Sequence, residues 1–256
     1  VGDDVGAPEE AAPDRFGYVH PSRWFALVEE VLSVLRLVDC GTVGCPGVAS
    51  FSTLPNAPTS SIRRPGAEPW YRYKPSADQL NEIRKLWTTL IGGVIDRCPP
   101  MEASLHRFHL ALDRFNDTDK LVDLMIAAEA LFLSDSGDPS GRGELRFRLA
   151  LRAAKFVQVP PFDERALYRL ILQAYDLRSE IVHNGRISEK SAKKLVPKGG
   201  LRAFVEVVTK VLRTGIRTAI DLTARNESIT ETEFWESLLF YGRAGVADES
   251  ENTHGA

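Results

Sequence analysis

The spacing of apolar and polar positions divides the chain into two textures. From Ser22 the run SRWFALVEEVLSVLRLV keeps Val31, Val34, Leu35 and Val38 on one face, as an amphipathic helix requires. GTVGCPGVASFSTLP then breaks that period and offers one short strand-like segment from Val48 to Leu54. A Pro- and Ser-rich connector continues through Pro75. Ser76 and Gln79 have capping-box spacing, which predicts a helix from Ala77 to about Ile91, the unit ending at RCPP.

Beyond Pro100 the helical periods lengthen. EASLHRFHLALDRF comes first, followed by DKLVDLMIAAEALFLSD, which is apolar nearly all round apart from Asp123 and Glu129. Such a helix belongs at the centre of a bundle. The loop SDSGDPSGRG separates it from ELRFRLALRAAKFVQ, and Pro160-Pro161 separates that from DERALYRLILQAYDLRSEIVH. Asp163 suits the N-cap of this last helix and Asn184-Gly185 its stop. A basic loop, NGRISEKSAKKLVPKGG, leads to LRAFVEVVTKVLRTGIRTAIDL. Thr230 and Glu233 have the spacing of another capping box, ahead of a short helix with Phe234, Leu238 and Tyr241 on one face.

The expectation is a mainly α protein. Residues 1–20 read as a disordered N-terminus, 21–98 as a small N-terminal α/β or irregular domain, 101–224 as a five-helix bundle, 225–243 as an accessory helix and 244–256 as a disordered tail. Composition agrees with a soluble globular chain, with 43% apolar and 26% charged residues and no run of the roughly 18 apolar residues that would span a bilayer. The start lacks a basic n-region and an apolar h-region, so it reads as a trimmed N-terminus rather than a signal peptide. Cys40, Cys45 and Cys98 are odd in number and form no close CxxC pair, which points to a reducing cytoplasm and away from zinc. A net charge of -3 excludes a uniformly basic nucleic-acid coat while permitting a local patch.

The stretch AYDLRSEIVHNGR carries the leading chemistry, with Arg178 and His183 five positions apart. Phosphodiester transfer wants such a pair. Histidine, with an ordinary pKa of about 6.5, moves protons at neutral pH, and arginine offers a permanent bidentate charge to a phosphorane-like transition state. In a continuous α-helix, positions five apart diverge by about 140°. The helix would have to unwind at Ile181-Val182, or two subunits would have to face each other. The alternative is that Arg178 forms an ion pair and His183 caps the helix C-terminus, where a cation suits the dipole.

Together, LVDLMIAAEALFL, ELRFRLALRAAKFV and LILQAYDLRSEIVHNG resemble the HEPN superfamily, and specifically the Apea-like HEPN domains, over residues 101–222. AEALF and YDLRSEIVHNG are the most specific parts. The resemblance implies an antiparallel helical bundle that dimerises. It also implies a metal-independent endoribonuclease, without cofactor, acting through an Arg-x4-6-His motif at the dimer cleft. That motif maps to Arg178 and His183. Nuclease members often carry Asn, Asp or His directly after the arginine; here Ser179 stands there, a hydroxyl able to contact phosphate. A role in prokaryotic toxin or antiphage systems is implied as well. Some members bind RNA, nucleotides or proteins without cutting, so a non-catalytic module is the competing class.

Other residues could serve the same site. Glu129 lies in an apolar helix, where a buried carboxylate needs a cation, with Arg178 or Arg152 in view. It would orient the arginine or join two helices. Arg148, Arg152 and Lys155 form a basic stripe at i, i+4, i+7. Between Arg178 and Lys198 six basic residues, among them Arg186, Lys190, Lys193 and Lys194, face two acids, a local balance of +4. Both clusters fit RNA phosphates, or a solvated surface. PWYRYKP interleaves aromatics with Arg72 and Lys74, able to stack bases or to pack under a loop. His106 and His109 are spaced for a shared metal, but no acid or cysteine completes the set, so they read as surface or boundary histidines.

Overall fold

The computed structural model describes residues 30–38, 47–50, 60–63, 75–135 and 144–252. For 47–50, 60–63, 198 and 243–252 the backbone alone is described. The N-terminal stretch 1–20, the segment 69–74 with its aromatics, and Cys40 and Cys45 lie outside these residues. The described protein is mainly helical. Helix α1 covers residues 30–37, and a hairpin follows in which β1 (Gly47–Ser50) pairs antiparallel with β2 (Ser60–Arg63), Gly47 opposite Arg63. The second strand escapes sequence reading because SSIR holds a single apolar residue inside a Ser-rich connector.

Local chemistry sets the helix ends. Helix α2 (Ala77–Ile91) opens on a complete capping box, Ser76 and Gln79 satisfying each other's backbone N–H groups. Pro99 and Pro100, rather than closing the preceding unit, occupy the first turn of α3 (Pro99–Leu112), where a missing N–H costs nothing. Asn116 caps α4 (Asp117–Phe132), and α5 runs Leu145–Phe156. Asp163 Oδ1 accepts from Ala166 N at 2.7 Å to open α6 (Glu164–Asn184). The basic stretch expected as a loop contains α7 (Glu189–Leu195), because Ser188 caps it and Leu195 anchors it in the core. Helix α8 (Gly200–Ala224) follows, then α9 (Thr232–Asn252), broken at Gly242.

Helix α4 lies at the centre, against α3, α5, α6 and α8. Leu121, Leu124, Met125, Ala127 and Leu131 are fully buried there. Gly215 lets α8 approach closely, since a Cβ at that position would sit 3.1 Å from Phe132 Cζ and 3.3 Å from Val157 Cγ2. The apolar core is continuous across Pro100: Val34 and Leu37 of α1 and Leu86 and Leu90 of α2 belong to the same cluster as the bundle, as do Trp235 and Leu238 of α9. Asp123, the polar exception on α4, is buried and paired with Arg107 at 3.3 Å and Arg114 at 2.7 Å.

Four local expectations shift. On α1, Val31 is exposed while Leu32 and Leu37 are buried, because α3 and α8 surround a different arc of the helix. On α9, Tyr241 is exposed and Trp235 fully buried, its Nε1 donating to Ile229 O at 2.9 Å. Thr230 does not cap α9; its hydroxyl lies 2.9 Å from Ser228 Oγ, and the helix begins at Thr232. Residues 244–252, expected within a disordered tail, are helical beyond the Gly242 break. No helix among the described residues is long and apolar enough to cross a membrane.

Candidate functional site

Helix α6 stays helical through Asn184, and Gly185, in the left-handed region at φ 68°, ends it by donating its N–H to Ile181 O at 2.8 Å. Unwinding at Ile181-Val182 is therefore not how Arg178 and His183 meet: in one chain their side chains leave the helix about 140° apart. Leu177 and Ile181 are buried beside them. His183 is exposed in the last turn, and Ser179 is half-buried.

Arg178 faces α4. Its Nη2 lies 3.7 Å from Glu129 Oε2, an ion pair too long for a hydrogen bond, and its guanidinium carbon lies 6.0 Å from the Tyr175 ring centroid. Its Nε is buried and has no hydrogen-bond partner among the described residues. Burial pushes the Glu129 carboxyl above its ordinary range, against the opposing pull of Arg178. Of the two partners expected for Glu129, the structure selects Arg178.

Arg152 goes elsewhere, which corrects its assignment as an RNA contact. Its Nη1 and Nη2 bind the two carboxylate oxygens of Asp135 at 2.6 and 2.7 Å, Nη1 also donates to Phe132 O at 3.0 Å, and Trp235 lies 4.9 Å from the guanidinium. Only its Nε lacks a partner, and the residue is 4% exposed. Arg152 thus points inward at the loop after α4. Asp135 is held below its ordinary range by hydrogen bonds from Arg152, with Arg148 adding to the effect. Lys155 binds Glu164 at 2.7 Å.

The cations around α7 have the opposite fate. Arg186, Lys190, Lys193 and Lys194 are all exposed. Glu180 fastens this unit to the end of α6 by accepting from Ser188 N at 2.9 Å and Ser191 Oγ at 2.6 Å, bonds that hold its carboxyl below the ordinary range. The tertiary structure therefore gathers His183, Arg186, Lys190, Lys193 and Lys194 at one end of the bundle and sets Arg178 with Glu129 on a different face of α6.

His106 is exposed, whereas His109 is a core residue. Its Nε2 lies 2.7 Å from Ser33 Oγ and its Nδ1 3.4 Å from Arg36 Nη1, which also donates to His109 O at 3.3 Å. Arg36 is itself paired with Asp113. Burial and the Arg36 charge, with a smaller contribution from His106, push His109 down to about 3, so it is neutral and committed to packing. A cation, rather than a carboxylate, at Nδ1 opposes the imidazolium that a serine nucleophile would need. No group of three or more His, Cys, Asp or Glu side chains suited to a metal occurs among the described residues.

Sequence reasoning missed a groove of about 460 Å³ between α6 and α7, lined by Arg169, Leu172, Gln173, Asp176, Leu177, Ser191 and Lys194. The seven-residue spacing of Arg169, Asp176 and His183 marks one strip of α6, because seven residues make nearly two helical turns, but nothing in the sequence says that α7 lies against it. In comparisons with known proteins, the chain matches no family model, no curated protein and no solved structure.

Proposed function

We propose that this protein is a metal-independent endoribonuclease of the HEPN type, whose reactive site joins Arg178 of one copy to the partner's His183 across a homodimer. The observation that carries the reading is the state of Arg178. A half-buried guanidinium with an unbonded Nε and a loose 3.7 Å ion pair is a set of donors the protein leaves unmet. Arg152, by contrast, has both Nη groups bonded within the fold. An exposed histidine on the same helix supplies the proton carrier. The continuous helix keeps the two apart in one chain, so the reading requires two copies.

In the reaction, the RNA 2′-oxygen forms a bond to its adjacent phosphorus and the P–O5′ bond breaks. His183 takes the proton of the 2′-hydroxyl and returns it to the departing 5′-oxygen, leaving a 2′,3′-cyclic phosphate. Arg178 stabilises the charge on the phosphorane oxygens, Ser179 adds a phosphate contact, and Glu129 orients the guanidinium. The resemblance extends the proposal to a toxin or antiphage role.

A second reading, a non-catalytic binding module, is favoured by Glu129, whose carboxylate competes with phosphate for Arg178. Incubating cellular RNA in EDTA with wild type, His183→Ala and Arg178→Ala separates the two. The nuclease reading expects cyclic-phosphate ends from the wild type alone. RNA binding without cleavage by any of the three would favour the module, and a strict monomer in light scattering at micromolar concentration would remove the shared site.

A further inference from the structure

We infer that the groove between α6 and α7 seats one nucleotide of a single RNA strand and so aligns that strand on His183; the inference rests on the proposed reading of RNA as the substrate. The groove lies on His183's own face of α6. Asp176, at its wall, is seven residues from His183, a rotation of only about 20° and a rise of roughly 10 Å. Arg178, two residues past Asp176, points nearly the opposite way, so the groove serves the histidine side of the site alone.

Its lining fits a nucleotide. Leu172 and Leu177 offer an apolar floor for a base, and about 460 Å³ lies within the usual range for small-ligand sites. Ser191 Oγ, whose proton goes to Glu180 at 2.6 Å, keeps acceptor lone pairs for an N–H of a base. Arg169 and Lys194, both exposed, are the cations on the rim, and neither makes a salt bridge among the described residues. The acid in the lining, Asp176, is already neutralised by Arg146 through bonds of 2.6 and 2.7 Å, so it does not repel a phosphate. Lys190, Lys193 and Arg186 extend the positive surface beyond the groove. An apolar floor beneath a cationic rim is the arrangement by which single strands are held by base contact and backbone charge together.

The test is fluorescence anisotropy of a labelled 2′-O-methyl RNA dodecamer, which lacks the nucleophile and cannot be cut, titrated with wild type and with Arg169→Ala/Lys194→Ala over a range of salt. Circular dichroism confirms that the variant is folded. The double variant should bind at least tenfold more weakly, with the slope of log affinity against log salt reduced by about 1.4, as two lost phosphate contacts require. Wild-type affinity and slope in that variant, together with a loss in Lys190→Ala/Lys193→Ala, would overturn the groove. Equal binding of an abasic dodecamer would overturn base seating. Groove-dependent binding without cleavage of natural RNA would sustain the groove while sinking the nuclease reading; cleavage unaffected by the groove variant would do the reverse.

Discussion

Replacing Arg152 and Arg178 separately with alanine tests whether the two arginines differ as their surroundings require. Arg152 and Asp135 have side chains 5% and 6% exposed and share a bidentate pair, and Arg152 also bonds the Phe132 carbonyl and lies against Trp235. Truncating Arg152 takes both short bonds from the enclosed Asp135 carboxylate, a defect that costs about 3–5 kcal/mol. Arg178 is 26% exposed, and its partner Glu129, at 3.7 Å, is 29% exposed. Solvent screens that pair, so Arg178→Ala should cost about 1 kcal/mol or less. For a chain of this length about 1 kcal/mol moves Tm by roughly 2–4 °C, so the two variants should differ by on the order of 10 °C in a thermal melt. The activity order should be inverted: Arg178→Ala abolishes cleavage at a temperature where it is fully folded, while Arg152→Ala retains specific activity per folded molecule. Equal destabilisation by the two substitutions would mean that Arg178 is a structural arginine and would refute the argument from its unmet donors.

Further outcomes follow from the same contacts. His109, ordinarily near 6.5, is pushed down to about 3 among Ser33, Arg36, His106 and Asp113, so the unfolded chain takes a proton that the fold refuses. Its stabilising contribution is nearly full at pH 7 and declines as pH falls through about 6.5; urea unfolding should show about 1.3 kcal/mol less stability at pH 5.5 than at pH 7, a loss absent in His109→Gln. An identical loss in that variant would locate the titration elsewhere. Glu129 has a raised carboxyl, so wild-type stability falls as pH rises through the window just above the ordinary value; Glu129→Gln should lack that decline, melt no lower than wild type at neutral pH and lower cleavage roughly tenfold by releasing Arg178. Unchanged cleavage in Glu129→Gln would leave only a structural pair. Gly215→Val should cost at least about 1–3 kcal/mol in denaturant unfolding, because the added carbons meet Phe132 and Val157; a neutral result would mean that α8 and α4 are less tightly packed than the distances indicate.

What the sequence determined by itself is whatever depends on neighbours a turn apart. The Ser76–Gln79 box, the Asp163 cap and the Asn184-Gly185 stop are written in residues at most four positions from the groups they satisfy, so the helix ends they mark were legible. The near-continuous apolar surface of DKLVDLMIAAEALFLSD likewise marked α4 as central, since a helix without a polar face must be enclosed. Charged side chains were a different matter. Whether Arg152 meets RNA or Asp135 depends on a loop 17 residues away, and whether His109 faces solvent or Ser33 depends on a helix 76 residues away. Periodicity reveals which residues share a face, but only the assembled bundle decides whether that face meets water, another helix or an opposite charge. The groove beside His183 belongs to that second kind, since it exists because Glu180 draws α7 back against α6. The divergence of Arg178 and His183 needed both: the spacing of five set the angle, and the unbroken helix through Asn184 ensured that nothing relaxed it.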